Sequence, residues 1–297
     1  MNASARIKEK TRELGFELVG ITPARPAPDF DFFRWWLDRG YAGTMGYLKR
    51  GEEKRENPEK ILPGVKSVIC CGLNYYKEGS SGHQVARYAW GDDYHEVVGE
   101  RLKKLERFIA SEIDPAARTK SYVDTGPVLE RSYAARAGLG WIGKNTCLIN
   151  NGLGSYVFLG EVLTTLELDE SEYDRPDLDQ CGTCSKCLDA CPTQALVEPY
   201  VLDSNRCISY LTIEYRGNFS PEQEAMVGNH LYGCDICQEV CPYNERIPVS
   251  PLPEFQPRPG LEKVLETRFE EIIRGSAMRR IKHPQWIRNL TAAKRGA

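Results

Sequence analysis

The sequence predicts a chain of the α+β class, in which an alternating α/β part is followed by a small cysteine-rich module. Helix-like and strand-like apolar patterns alternate up to about Leu168. The composition then changes to an acidic, proline-containing stretch at 169–180, and two cysteine runs follow at 181–196 and 234–244. The expected domains are 1–170 for the α/β part, 171–250 for the cysteine module and 251–297 for a proline-rich connector with a basic helical tail.

The first four elements are predicted from hydrophobic periodicity and from glycine positions. Residues 3–14 favour a helix that leads into a strand at 16–24, FELVGITPA. The segment 30–43 is typical of a second amphipathic helix, which glycine closes. The run at 67–76, SVICCGLNYY, has the continuous apolar character of a buried strand.

A longer helix is predicted over 92–110, because its apolar side chains recur every three or four residues. Asp92 or Asp93 can serve as its N-cap. The side chains expected to face the core are Val98, Leu102, Leu105 and Ile109.

The next two stretches predict a strand–turn–helix unit and a hairpin. At 120–140 a strand gives way to a Gly-Pro turn and then to a helix that glycines end. At 146–168 apolar runs flank an Asn-Gly turn, which is typical of a β-hairpin. The GLGWIG stretch at 138–143 follows a helix and has the wrong offsets for a dinucleotide loop, so we interpret its glycines as a C-cap and a tight turn.

The composition favours a cytoplasmic protein with metal or redox chemistry. The 297 residues carry a formal net charge of -3 and contain no apolar run long enough to span a membrane. The charged, helix-like start is unlike a signal peptide. A chain of this length can bury a core without disulfides, so clustered cysteines in a reducing compartment indicate metal or redox work.

The spacing of eight cysteines predicts two 4Fe-4S clusters. The first run, CGTCSKCLDACP at 181–192, matches the bacterial pattern in which the fourth cysteine ligates the neighbouring cluster. The second run, CDICQEVCP at 234–242, is one cysteine short, and Cys207 can supply it. The crossing rule assigns the first cluster to Cys181, Cys184, Cys187 and Cys241. It assigns the second cluster to Cys191, Cys207, Cys234 and Cys237.

Structural zinc is the alternative for these cysteines. A zinc site favours two separated pairs around one tetrahedral ion, and it needs neither a third cysteine at this spacing nor a Cys-Pro step. Three further cysteines, Cys70, Cys71 and Cys147, lie in apolar, strand-like sequence and are predicted to be buried structural thiols.

Two residues of the α/β part are candidates for a site that receives the electrons. Asp124 lies where a strand gives way to a turn, a position from which side chains project into sites, although a turn or cap role is the alternative. His95 lies in a near match to the Asp-x-His-x-x-Gly signature of proteins that ligate cobalamin through histidine. Val98 stands where the glycine belongs. We therefore discount cobalt ligation by His95 and expect an exposed or substrate-side histidine.

The C-terminal segment is basic, since no acidic residue follows Glu271. Such a segment can contact a phosphate backbone, and the alternative is a solvated helix face. Its basic residues are Arg274, Arg279, Arg280, Lys282, Arg288, Lys294 and Arg295.

Six stretches, taken together and in this order, resemble the epoxyqueuosine reductase family from about residue 5 to the end. They are RYAWGDDYH, DTGPVLER, AGLGWIGKNT, the run at 181–192, RCISYLTIE and GCDICQEVCPYN. The resemblance implies a cobalamin-dependent reductase with a nitroreductase-like α/β domain and a ferredoxin-like domain that holds two 4Fe-4S clusters. It implies reduction of the epoxide of epoxyqueuosine at the wobble position of a tRNA anticodon loop to queuosine, the last step of queuosine biosynthesis. The implied partners are this tRNA and an external low-potential electron donor, with no membrane.

The resemblance also gives roles to single residues. Asp124 matches the family's proton donor, and a pocket walled by corrin and apolar side chains should raise the pKa of its carboxyl group. Tyr88, Tyr94 and His95 are expected on the side of the substrate base. Polar side chains expected around the corrin are Asn145, Thr146, Ser155, Ser209 and Tyr210, with ordinary turn and cap bonding as the alternative.

Two other functions stay open from the sequence. A corrinoid iron–sulfur reductase of the dehalogenase type would share the cofactors, whereas a ferredoxin-type electron carrier would hold clusters without corrin. The basic tail and the predicted cytoplasmic location favour the tRNA substrate. Many family members continue into a HEAT-like helical domain, whereas this sequence ends in RNLTAAKRGA, so we expect the short or a truncated form.

Overall fold

A four-stranded antiparallel sheet forms the centre of the first part of the chain. The computed structural model describes residues 2–79, 85–169, 180–261, 264 and 268–296. The strands are β1 Leu18–Pro23, β2 Ser67–Asn74, β3 Thr119–Tyr122, β4 Trp141–Ile142, β5 Leu148–Ile149, β6 Val157–Thr164, β7 Leu196–Glu198 and β8 Val201–Leu202. The main sheet has the order β1-β2-β6-β3, and each neighbouring pair is antiparallel.

Helices cover both faces of this sheet and continue into the cysteine module and the tail. They are α1 Ala3–Glu13, α2 Phe30–Asp38, α3 Glu52–Glu56, α4 Tyr94–Phe108, α5 Glu130–Arg136, α6 Lys186–Ala190, α7 Ile208–Ile213, α8 Pro221–Val227, α9 Ile236–Glu239, α10 Phe269–Ile272 and α11 His283–Gly296. A π-helical turn at Ile109–Ile113 extends α4.

Helices and strands alternate along the first part of the chain as expected, and the strands of the main sheet run antiparallel. Strands that alternate strictly with helices usually run parallel, whereas β1, β2 and β6 lie side by side and antiparallel. Hydrophobic periodicity identifies the elements but carries no information on their directions. The mixed content of helix and sheet agrees with the predicted class.

The predicted core face of α4 is confirmed. The four predicted core positions are 0% exposed: Val98, Leu102 and Leu105 of α4, and Ile109 at the start of the π-helical turn. Gly160 of β6 permits the close approach of this helix, because a Cβ there would lie 2.9 Å from Leu102 Cδ1. Asp93 is the N-cap, and its side chain accepts a hydrogen bond from the His95 backbone N–H at 3.0 Å. On the opposite face α5 packs against β2 and β6.

The hairpin predicted around the Asn-Gly turn is wrong. β5 pairs with β4 in a separate two-stranded sheet, while β6 pairs with β2 and β3. Within the described residues, an isolated bridge between Asn150 and Gly154 joins the two apolar runs. The Asn150 side chain accepts hydrogen bonds from Gly152 N and Leu153 N at 2.8 and 3.1 Å, which stabilise the turn. After this turn the chain enters the main sheet as β6.

The proline-rich stretch and the tail pack back onto the rest of the chain. Ser250 N donates to Tyr76 O at 2.8 Å, and Phe255 is buried in the core beneath α4. Met278 and Trp286 of the tail share a second core with Trp90 and other buried apolar residues. The acidic stretch predicted at 169–180 lies outside the described residues, apart from its two ends. In the described ranges no helix combines the length and apolarity needed to cross a bilayer.

Candidate functional site

The four thiols assigned to the first cluster line one cavity. Its volume is about 210 Å³, and it lies between the two cysteine runs. Its lining includes Cys181, Cys184, Cys187 and Cys241, together with Lys144, Pro242 and Tyr243. The fold therefore brings Cys241 of the second run to the three thiols of the first run, as the crossing rule predicts.

The other four thiols also lie near one another. Burial raises the pKa of Cys234 to about 12, and the neighbouring thiols of Cys207 and Cys191 add to this shift. Burial and the neighbouring thiols Cys147, Cys234 and Cys207 raise the pKa of Cys237 well above its usual range. Cys147 is thus a fifth thiol beside this group, and burial raises its own pKa to about 11.

The donor chemistry at both groups fits an iron–sulfur cluster. Thiolates crowded together away from water are unfavourable unless a cation is bound between them, which is what iron supplies. Backbone N–H groups also point at the sulfurs: Ala195 N donates to Cys191 Sγ at 3.3 Å. In the described part of the chain, no three His, Cys, Asp or Glu side chains converge as ligands of a single ion. The first four thiols surround a volume instead of closing on a point.

The segment between α5 and β6 holds the cysteine module in place. Lys144 Nζ donates to the carbonyl oxygens of Gly182 and Cys184. Asn145 Nδ2 donates to Cys237 O at 3.3 Å. Ser155 Oγ donates to Gln238 Oε1 at 2.9 Å. Asn145 and Ser155 therefore use their polar groups to anchor the cluster-binding segments.

Thr146, Ser209 and Tyr210 also have contacts within the protein. Thr146 adopts a positive φ of 65°, and its carbonyl oxygen accepts a hydrogen bond from Arg131. The backbone N–H groups of Ser209 and Tyr210 bond to the sulfur of Cys207. The Tyr210 hydroxyl accepts from Thr44 N at 2.7 Å. Of the five side chains expected around a corrin, those of Thr146 and Ser209 are partly exposed and the other three are buried.

A second site forms where the start of α4 meets the turn after β3. Tyr94 Oη donates to Asp124 Oδ2 at 2.9 Å, and His95 Nε2 lies 3.4 Å from the same oxygen. The Tyr94 ring stacks on His95, with centroids 4.1 Å apart, and meets the edge of Tyr88 at 6.0 Å. The fold therefore gathers Asp124 and the three predicted substrate-side residues. The Asp124 side chain is 61% exposed, so this site is open to solvent.

Asp93 fixes the orientation of the histidine. His95 Nδ1 lies 2.7 Å from Asp93 Oδ1, so both ring nitrogens face carboxylates. Both ring nitrogens of His95 are therefore engaged by contacts within the protein. Burial opposes the charged imidazolium, but the hydrogen bonds and negative charges of Asp124 and Asp93 outweigh it and raise the pKa of His95 to about 9.

The expected raised pKa of Asp124 is wrong. Partial desolvation by the surrounding residues favours the neutral acid, but hydrogen bonds from His95 and Tyr94, with the charges of His95 and Arg280, lower the pKa of Asp124 below its usual value. A neutral carboxylic acid is favoured in a pocket without hydrogen-bond donors, whereas this pocket supplies two donors to the Asp124 carboxylate. At neutral pH the proton shared by the two residues therefore resides on His95.

Several residues of the acid site were not anticipated from the sequence. Glu130 Oε1 accepts a hydrogen bond from the Asp124 backbone N–H at 2.6 Å, and Glu161 lies behind it, 0% exposed. Arg279 Nε pairs with Asp93 Oδ2 at 2.7 Å. The sequence contains one indication that Glu161 is unusual, because it is an acidic residue within the otherwise apolar run VFLGEVLTT. The sequence gives no indication that Arg279, in the C-terminal segment, lies beside the start of α4.

The basic tail is largely occupied by contacts within the protein. Arg280 makes two hydrogen bonds of 2.9 Å to the carboxylate of Glu214. Arg288 donates to backbone carbonyl oxygens of the 211–217 segment and lies over the Phe219 ring. Arg295 pairs with Glu224 at 2.8 Å. These arginines attach the tail to the cysteine module. The sequence suggested either contact with a phosphate backbone or a solvated helix face, and neither describes these contacts.

Comparison with known proteins defines the class first. A family model described as a 4Fe-4S double cluster binding domain matches residues 180–244. The chain is therefore an iron–sulfur protein of the double-cluster type. A second family model, for epoxyqueuosine reductase QueG, matches residues 55–125, which include His95 and Asp124.

Full-length relatives then define the family. The chain is 40% identical to the epoxyqueuosine reductase of Xanthomonas campestris pv. campestris, over 97% of this chain and 85% of the relative. It is 42% identical to that of Gloeobacter violaceus, over 98% of this chain and 95% of the relative. The chain belongs to the epoxyqueuosine reductase family.

Solved structures agree with this assignment. A crystal structure of epoxyqueuosine reductase with an epoxyqueuosine-modified tRNA-Tyr stem loop has a TM-score of 0.88 and 35% identity, covering 99% of this chain and 81% of that chain. A Bacillus subtilis epoxyqueuosine reductase, with its aspartate-bearing catalytic loop swung out of the active site, has a TM-score of 0.87 and 34% identity over the same shares. A catabolic reductive dehalogenase, at 17% identity and a TM-score of 0.52, shares the fold alone, over 81% of this chain and 31% of that chain.

Proposed function

We propose that this protein reduces the epoxide of epoxyqueuosine at the wobble position of tRNA to the alkene of queuosine. The reaction consumes two electrons and two protons and releases the epoxide oxygen as water. The observation that carries the proposal is the presence, in one chain of this family, of a cavity lined by four thiols and an open acid site. A related structure contains an epoxyqueuosine-modified stem loop, which supports the substrate.

In this proposal the seven cysteines of the two runs, together with Cys207, hold the two clusters. Cys181, Cys184, Cys187 and Cys241 ligate the first cluster, and Cys191, Cys207, Cys234 and Cys237 ligate the second. The first cluster lies near exposed residues such as Lys186 and Pro242. An external low-potential donor therefore delivers electrons there, and the proposed division at 1–170, 171–250 and 251–297 separates electron supply from chemistry.

Cobalamin is the proposed group that acts on the epoxide, and it supplies two-electron reducing power at the carbon–oxygen bond. The residues fit this group in part. Both nitrogens of His95 are engaged, so the chain is expected to hold the corrin through its periphery and not through histidine. Thr146 and Ser209 are the expected contacts that keep partly exposed side chains.

His95 and Asp124 act together as the general acid. When the carbon–oxygen bond breaks, negative charge develops on oxygen, and a positioned acid lowers the barrier. Asp124 Oδ2 lies beside both Tyr94 Oη and His95 Nε2, so the imidazolium proton can pass through the Asp124 carboxylate to the substrate oxygen. The second proton comes from solvent, since the carboxylate is open to water. The movable aspartate loop of the Bacillus subtilis relative supports Asp124 as the residue that meets the substrate.

Tyr88 and Tyr94 contribute to the surface that meets the modified base. Single-stranded nucleotides are commonly held by stacking on aromatic rings. The stacked pair of Tyr94 and His95 offers such a surface beside the acid.

A turnover assay tests the proposal. The protein is reconstituted without oxygen with iron, sulfide and cobalamin, and is given an epoxyqueuosine-containing stem loop and a strong reductant. We expect queuosine in the digested RNA by mass spectrometry, and none when cobalamin is omitted. Clusters that form and reduce without any product would favour an electron carrier and would contradict the proposal.

A further inference from the structure

A buried arginine of the α/β part is attached to the segment that carries two of the cysteines proposed to ligate the second cluster. This residue, Arg87, lies in the RYAWGDDYH stretch, and Asp235 lies between Cys234 and Cys237. The Arg87 backbone N–H donates to Asp235 Oδ2 at 2.7 Å. Because the two residues are 148 positions apart in the sequence, this contact is made by the fold and not by local structure.

The guanidinium of Arg87 pairs with two carboxylates of the same segment. Its Nη1 lies 2.5 Å from Glu239 Oε1 and 3.6 Å from Asp235 Oδ2. The side chains of Arg87, Asp235 and Glu239 are 11%, 7% and 27% exposed, so the three charges lie largely away from water. Charges in such a place act on their surroundings more strongly than surface charges, because less water and salt screens them.

Neutral groups hold the guanidinium on its other sides. Its Nη2 donates to Gly79 O at 2.9 Å. The guanidinium carbon lies 5.1 Å from the ring centroid of Trp90 and 5.5 Å from that of Tyr156. Carbonyl oxygens and aromatic faces stabilise a cation without cancelling its charge. The cation is therefore fixed against the two carboxylates, and the three side chains together carry one net negative charge when all are ionised.

The residue after Arg87 belongs to the acid site. The Tyr88 ring meets the edge of Tyr94, whose hydroxyl donates to Asp124. The turn that holds the ligand segment through Arg87 thus reaches the acid site through Tyr88. Of the two thiol groups, it is the second that this turn connects to the acid site.

We propose that Arg87 is a positioning residue for electron transfer, which fixes the ligand segment 234–239 and offsets the charges of Asp235 and Glu239 beside the second cluster. The reduction potential of an iron–sulfur cluster depends on the charge around it, and nearby negative charge makes reduction harder. Arg87 therefore raises the potential of the second cluster, so that it is reduced by one electron as the first cluster is oxidised by one. This inference rests on the proposed function only in its assignment of a cluster to each thiol group.

Substitutions that change charge at Arg87 and Glu239 separate this role from simple packing. Arg87→Gln removes the cation, so the potential of the second cluster should fall. Glu239→Gln removes one negative charge, so this potential should rise. The double variant has the net charge of wild type, and its potential should return close to the wild-type value. A purely structural role predicts instead that the double variant is at least as disturbed as either single variant.

The measurement is a redox titration of the full chain with both clusters, followed by electron paramagnetic resonance, and it needs neither substrate nor turnover. The signal that disappears in Cys237→Ser identifies the second cluster. The first cluster should keep its potential in every charge variant, and iron content should stay at about eight per chain. Arg101→Gln is the matched control, because Arg101 pairs with Glu254 at 2.9 Å with similar exposures of 16% and 31%. It should leave both potentials unchanged.

Opposite shifts in the two single variants, with recovery in the double variant, support the inference. Unchanged potentials, shifts in the same direction, or a double variant without recovery overturn it. If Arg87→Gln fails to hold the second cluster, Glu239→Gln decides, since it keeps Arg87 beside Asp235: a rise supports the inference and no rise overturns it. A wild type without a second cluster overturns both the inference and the proposed ligands. If the potentials shift as expected but wild type forms no queuosine, the proposed function fails and the role of Arg87 stands.

Discussion

The two thiol groups and the acid site differ in how the chain builds them. Seven of the eight predicted cluster ligands lie within two short runs, so local spacing almost determines the site. The acid site joins the start of α4, the turn after β3, the start of α5 and the tail, which are brought together only by the fold. Local spacing therefore suffices to propose the cluster ligands, whereas the proposed proton chemistry depends on long-range packing.

The largest expected effect comes from removing one ligand of the second cluster. Cys237→Ser should reduce the iron content from about eight to about four per chain and abolish turnover, because a cluster of this type needs four ligands. Iron and sulfide analysis after oxygen-free preparation measures this.

Cys147→Ser is the matched control, since Cys147 is a neighbouring thiol of Cys237 but lies outside both predicted quartets. It should keep about eight irons. A loss of iron in this variant, with Cys191→Ser unaffected, would break the crossing assignment.

Replacing the carboxylate of the acid site should be nearly as severe. Asp124→Asn should reduce kcat by roughly two to four orders of magnitude, because an amide cannot accept the His95 proton and pass it to the substrate. Its iron content and visible spectrum should match wild type. Asp92→Asn, an exposed change nearby, is the control, and wild-type turnover in Asp124→Asn would refute the acid role.

The pH dependence of kcat tests whether His95, and not Asp124, holds the proton at neutral pH. The raised pKa of His95, about 9, means that the imidazolium holds its proton below that pH and loses it above. Wild-type kcat should therefore fall as the pH rises through about 9, and His95→Asn should remove this alkaline limb while lowering neutral turnover about tenfold. An unchanged alkaline limb in His95→Asn would assign it to another group.

The smallest effect is expected at the contact between the tail and α4. Arg279 is half-exposed but pairs with Asp93, which is 1% exposed. Arg279→Gln should lower the free energy of unfolding by about 1 kcal/mol, seen as a fall in Tm of a few degrees in thermal unfolding. The exposed Arg274→Gln should leave Tm unchanged.

The limits of prediction from sequence follow the same division. The core face of α4 and its N-cap Asp93 are local patterns, and the structure confirms both. Strand direction and the partner of β6 depend on contacts far apart in sequence, so the hairpin prediction failed. The protonation of Asp124 depends on donors from α4 that no local pattern places beside it.

Cluster reoxidation tests the central claim, that the thiol groups supply electrons and the acid site supplies the proton. Clusters of the cobalamin-loaded protein are reduced, mixed with the epoxyqueuosine stem loop, and followed by visible absorption while queuosine is quantified. We predict that wild-type clusters reoxidise with one queuosine formed for every two electrons, and that clusters in Asp124→Asn stay reduced without product. Reoxidation with product at the wild-type rate in Asp124→Asn would contradict the account.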